Sequence, residues 1–174
     1  PDSIYASDMT FVLGLSLMQS GRREEAALEL ERFLDRYAGD ANTAHALYYL
    51  GHIRFGHREF APAIRVFDRL VAEFPQHEAA ADVWFRIGES YFNLEQYEQA
   101  LNAYGRVVDD WPGPEQDDAL YNSAWVYMEL NRGEEAAATL GRLLTEFPDS
   151  ELAPNAQFTI GDYHYNEGQY EQAL

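Results

Sequence analysis

Residues 84–112 read WFRIGESYFNLEQYEQALNAYGRVVDDWP. Gly88 is followed after twelve residues by Ala100, then by Tyr104 and by Trp111-Pro112. The same layout recurs along the chain. Phe11-Val12-Leu13-Gly14, Tyr48-Tyr49-Leu50-Gly51 and Phe158-Thr159-Ile160-Gly161 repeat the aromatic-to-glycine entry, and Tyr121-Asn122-Ser123-Ala124 carries Ala in place of Gly. Successive copies are 37, 37, 36 and 37 residues apart. Ala26, Ala63, Ala136 and Ala173 stand where Ala100 stands. Leu30, Phe67 and Leu140 follow four places on, and Pro75, Pro112 and Pro148 close three of the copies. Positions held in phase at this period are the mark of a repeat array.

Each copy has two amphipathic halves. Leu47, Tyr48, Leu50, Gly51 and Phe55 fall at helical spacing, and so do Ala63, Ile64, Phe67, Leu70 and Val71. Short polar breaks separate the halves, such as residues 56–59, 93–96 and 131–134, and their Gly and Asn suit a left-handed helix end. Pro after each second half stops it. The spacing predicts helix pairs 3–18 with 22–37, 42–56 with 60–74, 77–93 with 97–111, 115–130 with 134–147, and 151–167 with a truncated partner from 170. The expected repeats are 3–40, 41–76, 77–113, 114–149 and 150–174, a single array over 1–174. Gly51 and Gly88 should lie where the paired helices pass closest. Each pair leaves an apolar face that only stacked neighbours can bury. The chain starts at Pro1 and stops within a helical pattern, so it is expected to be a segment of a longer protein, with residues 151–174 its loosest part.

Composition narrows the function. Twelve Arg and no Lys stand against 30 Asp and Glu, a formal net charge of −18. Such a surface repels nucleic-acid phosphates and anionic lipid, so neither is expected as a partner. No apolar run is long enough for a membrane span. The absence of Cys removes disulfides, thiol nucleophiles and thiolate metal sites. No phosphate loop or His-Glu-x-x-His pattern occurs. Glu24-Glu25, Asp117-Asp118 and Glu134-Glu135 open helices, where negative charge is favourable without any catalytic role. His45 and His52 share one face and could approach Asp82 and Glu89, but surface histidines on a polar face account for them. No enzyme activity, cofactor or metal is assigned.

Trp84, Ile87, Gly88, Tyr91, Tyr97, Ala100, Tyr104 and Pro112 resemble the tetratricopeptide repeat pattern, and the resemblance covers essentially the whole chain. It implies an all-α fold, a right-handed α-solenoid of antiparallel helix pairs, acting as a non-catalytic protein–protein interaction scaffold. The family period is about 34 residues. The longer period here places the extra residues after the Pro, and the first helix of each pair is expected to be about a turn longer. Ser150 before Glu151 reads as a helix start. The layout of residues 147–161 resembles a subgroup common in bacterial envelopes, including the Tol-Pal-associated periplasmic coordinator and the lipoprotein of the outer-membrane β-barrel assembly machine. That resemblance implies a periplasmic or envelope-associated scaffold. The alternative is a cytoplasmic docking or regulatory region of a larger protein whose active domain lies elsewhere.

By the same resemblance, first helices line a concave groove that holds a partner peptide. Its expected contacts are Tyr48, His52, Asp82, Phe85 and Glu89 in the first half of the chain. In the second half they are Asp118, Tyr121, Trp125, Met128, Phe158, Asp162 and Tyr165. This is an aromatic ladder beside carboxylates. Chaperone-binding members hold a terminal carboxylate with Lys, Arg and Asn. Here only Arg86 is basic nearby, so the expected partner is a basic and apolar peptide, bound less tightly as salt rises.

Overall fold

The computed structural model describes residues 5–171 and 173, and all nine elements it forms there are α-helices of 14 residues. They are α1 (Ala6–Gln19), α2 (Arg23–Arg36), α3 (Thr43–Gly56), α4 (Phe60–Glu73), α5 (Ala80–Asn93), α6 (Tyr97–Asp110), α7 (Gln116–Glu129), α8 (Gly133–Glu146) and α9 (Ala153–Asn166). The chain divides into two compact units, Pro1–Ser90 and Tyr91–Leu174, and α5 runs across the division. In the first unit α1 packs on α2, α2 on α3 and α3 on α4. In the second, α6 packs on α7, α7 on α8 and α8 on α9. The expected all-α class and helix-pair arrangement are thus observed in each unit. Residues 3 and 4 of the first expected helix, and Gln172 and Leu174 of the last, lie outside the described residues.

Three-residue turns join the helices of the four complete pairs, and the same turn follows α9, where the partner helix expected from residue 170 is not formed among the described residues. The middle residue of the turn takes a left-handed conformation: Gly21 (φ 78°), Arg58 (φ 61°), Glu95 (φ 58°), Asn131 (φ 56°) and Gly168 (φ 74°). Its N–H and the next one reach back into the helix, as Glu95 N–H to the Phe92 carbonyl and Gln96 N–H to the Tyr91 carbonyl, both 2.9 Å. This pair of bonds satisfies carbonyls that a helix end leaves open. Gly56 and Gly133 are not the left-handed residues, contrary to the sequence expectation. Gly56 belongs to α3, and Gly133 opens α8 where a Cβ would come within 2.3 Å of the Tyr163 ring. An L-residue in this conformation is strained by about 1–2 kcal/mol. Glu95→Gly should therefore raise stability by about 0.5–1 kcal/mol in thermal unfolding, and a lower melting temperature would refute that reading of the turn.

The extra residues of the long repeat do not lengthen the first helices. They form the connection from each second helix to the next pair. In three of the four, two linked turns fill it: Asp40 N–H to Tyr37 and Thr43 N–H to Asp40, His77 N–H to Phe74 and Ala80 N–H to His77, Ser150 N–H to Phe147 and Ala153 N–H to Ser150. At the shared middle position a side chain accepts the N–H two residues on. Asp40 Oδ1 takes Asn42 N–H at 2.8 Å, His77 Nδ1 takes Ala79 N–H at 3.2 Å, and Ser150 Oγ takes Leu152 N–H at 3.1 Å. These local bonds compete with helix formation and delay it, so α9 begins at Ala153 rather than at Ser150.

Leu30, Phe33, Phe67 and Leu70 fill the core of the first unit, and Tyr104, Val107, Leu140 and Leu143 that of the second. Gly51 faces the Phe67 ring, and Gly14 faces Leu30. The close approach therefore serves the large residue sixteen positions on. Arg54 of α3 ties the first unit together, donating to Glu31 of α2 at 2.5 Å and to Glu59 at 2.7 Å.

Candidate protein-interaction surface

In the first unit the expected contact residues do converge, but mostly on one another. Tyr48 and His52 lie one turn apart on α3 with ring centroids 4.3 Å apart. Asp82, in the first turn of α5, accepts His52 Nε2 at 2.9 Å and Arg86 Nε at 3.3 Å. Arg86 also donates from Nη1 to Glu89 at 2.6 Å, and its guanidinium lies 5.6 Å from the centres of both the Phe55 and Phe85 rings. Burial raises the Tyr48 hydroxyl to about 12, helped by the adjacent Asp82 charge and hydrogen bond. Burial would raise Asp82 as well, yet the bond from His52 and the charges of His52 and Arg86 hold its carboxyl below the usual range. From sequence, Asp82 and Glu89 are expected to face outward for a basic ligand. The structure instead gives them a cation of the same unit, so an incoming Arg or Lys would share these carboxylates with Arg86 and His52.

His52 reaches Asp82, whereas His45 turns to the His77 ring, 5.5 Å away and edge-on. Among the described residues no three His, Asp or Glu side chains converge as metal ligands. Phe11, at the first rung of the expected ladder, is buried against Phe33 at 5.5 Å. Phe55 and Phe92 each pack on the aromatic just past their turn, Phe60 and Tyr97, both at 5.8 Å.

The second unit presents a different surface. Tyr121, Trp125 and Met128 follow one another at helical spacing on α7, with Tyr121 and Trp125 edge-on at 6.3 Å. Trp125 remains 44% exposed. On α9, Phe158 is 75% and Tyr165 63% exposed, and Ala156 is the buried residue of that helix. Asp118 is exposed on the first turn of α7. Asp162 is also exposed and accepts Asn166 Nδ2 at 3.2 Å. Phe158, Ile160, Gly161, Tyr165 and Tyr170 line an open hollow of about 550 Å³. Phe158, Tyr165 and Tyr170 thus group around one hollow, and contiguous exposed apolar patches of this kind mark interaction sites.

A second hollow, of about 580 Å³, has no counterpart in the sequence expectations. It opens in the first unit over Leu34, Leu47 and Leu50 and is rimmed by Glu31, Arg54, Glu59 and Arg65. Its leucine floor is buried, and Arg54 is held by the two glutamates. Expectations confined to the first helices could not reach it, because α2 and α4 supply most of its wall.

The repeat geometry and the paired helices define an all-helical repeat protein. The chain belongs to the tetratricopeptide repeat family, whose model matches residues 11–83, 85–151 and 124–174. Among solved structures it is similar to MamA from Desulfovibrio magneticus, with 18% identity over 99% of this chain and 91% of that chain and a TM-score of 0.75. It is similar to PilF of Pseudomonas aeruginosa, with 22% identity over 96% and 71% of the two chains and a TM-score of 0.68. A tetratricopeptide repeat protein from Parabacteroides merdae gives 17% identity over 96% and 63%, with a TM-score of 0.78. At these identities the likeness is one of fold. No curated protein sequence matches the chain. Proteins of the family are generally scaffolds that bind proteins or peptides, and are typically non-catalytic. No helix among the described residues is long and apolar enough to cross a membrane.

Proposed function

We propose that this chain is a scaffold that holds a basic and apolar peptide segment of a partner protein on the first-helix face of its second unit. The observation that carries this is the exposure of Trp125, Phe158 and Tyr165 on α7 and α9, beside the exposed carboxylates of Asp118 and Asp162. Aromatic side chains bury large areas with few rotatable bonds and dominate binding hot spots. The nearby carboxylates, in a chain of net charge −18, favour Arg or Lys in the peptide and speed its encounter. In the first unit Tyr48, Phe85 and the Asp82–Arg86–Glu89 network form a face whose charges are already matched, which suits it to a secondary contact. The layout of residues 147–161 supports a place in a bacterial envelope assembly, and fractionation of cells producing the protein tests that location.

Selection from a random peptide library tests the binding surface. The parent should enrich peptides with Arg or Lys near apolar residues, and their affinity should fall as salt rises. Trp125→Ala and Phe158→Ala should each weaken the selected peptides by about tenfold or more. Enrichment of acidic peptides, or equal binding by the variants, would sink the assignment.

A further inference from the structure

We propose that His77 is an acid-sensitive latch, holding the connection between α4 and α5 in its neutral form and releasing it when protonated. The inference goes beyond the binding role and starts from geometry. The ring nitrogen Nδ1 accepts the Ala79 N–H at 3.2 Å, so it must carry a lone pair. Nε2 is buried and has no hydrogen-bond partner among the described residues. A proton added at Nδ1 would face the Ala79 N–H donor to donor. The imidazolium can then form only if the ring gives up that bond, which leaves the turn to its two backbone bonds and loosens it.

The surroundings offer that cation little relief. From α3, His45 lies edge-on at 5.5 Å and Tyr48 at 6.3 Å. The connection itself supplies Glu78, which favours the charged form. From α4 comes the Phe74 carbonyl, which accepts the backbone N–H of His77 at 3.0 Å. From α5 comes Asp82, already engaged by His52 and Arg86. Burial, and then the neighbouring His45, lower His77 from its ordinary value of 6.5. The sign follows from linkage. Above the ordinary value His77 is neutral whether folded or unfolded, and contributes no pH dependence. As pH falls below it, the unfolded chain takes up the proton first, and stability drops. Other histidines stand nearby, so a variant at His77 itself is needed to isolate its contribution.

The repeats supply the control. Asp40 and Ser150 make the same bond at the same position with oxygen acceptors. His77→Asn keeps an acceptor for Ala79 N–H and removes the titration. We would follow thermal unfolding and amide exchange of the whole chain and of H77N from about pH 7.5 to about pH 5, the range a histidine spans. The parent should lose about 2–4 °C more than H77N, and its Ala79 and Ala80 amides should exchange about tenfold faster in acid than those of H77N. Parallel profiles for the two proteins overturn the latch. Should H77N fail to fold, H77S repeats the comparison with the acceptor of Ser150. Imidazole nitrogen resonances of the parent add a separate check. The proposal requires Nδ1 to be unprotonated near neutral pH, and the Ala79 and Ala80 amide signals to move as it gains its proton. A titrating ring with unmoved amides also overturns it.

Discussion

Gly51→Ala should destabilise the first unit by about 1–3 kcal/mol. The added Cβ would stand 2.3 Å from Phe67 Cε1, and two more ring atoms lie within 2.8 Å. Phe67 is fully buried and has the His52 ring against it at 5.4 Å, so it cannot swing aside as a surface side chain would. The helices must part or the ring must leave its rotamer. Gly14→Ala should be much milder, because the atom it meets is the end of Leu30 at 3.0 Å. Repeat four already shows the compatible combination: Ala124 in the glycine position and Leu140 sixteen residues on, both buried. Phe67→Leu should therefore recover part of the loss in the Gly51→Ala background, although alone it removes buried volume. A denaturant double-mutant cycle measures this, and additive effects would mean that some other contact sets the helix spacing.

Ala100→Leu should cost a similar amount in the second unit, about 1–3 kcal/mol. Ala100 is completely buried on the first full turn of α6, and three more carbons have no space without moving the backbone. Glu98→Gln, two residues earlier, is the matched control. The Glu98 side chain is 71% exposed and has a surface contact of 3.2 Å to Arg132, and exposed pairs of that kind contribute about 0–1 kcal/mol. Urea unfolding of both variants checks the register of the whole repeat. Equal midpoints would place Ala100 outside the core.

The helix pairs were legible because burial imposes a period that polar residues cannot imitate. Expected and observed limits of the third helix differ by one residue, 42–56 against Thr43–Gly56. The connections were less legible. Asp40 and Ser150 are ordinary turn formers, but a histidine accepting a backbone N–H has no comparable sequence signature. Likewise, Arg58 and Glu95 take the left-handed position because two backbone hydrogen bonds require it there, whereas Gly56 and Gly133 drew attention by residue type alone. The site was legible in part. Sequence spacing brought Tyr48, His52 and Asp82 together correctly. It also contained the answer that was missed: Asp82 and Arg86 are four apart, and Arg86 and Glu89 three apart, the intervals at which helical charges pair. Exposure could not be read from spacing. Phe11 and Phe158 occupy equivalent positions, yet one is buried and the other open.

The five tight turns leave a practical opening. Residues 58, 95 and 131 point to solvent, and the backbone there holds its shape with Arg, Glu or Asn alike. Because the chain contains no cysteine, a single one introduced at any of these corners would be the unique thiol in the molecule. At residue 95 or 131 a dye or spin label could then be attached on an exposed corner, whereas at residue 58 it would replace the Arg58 contact with the Phe60 ring. Occupancy of the aromatic face could be followed in solution without an antibody or a fusion tag, whatever the ligand turns out to be.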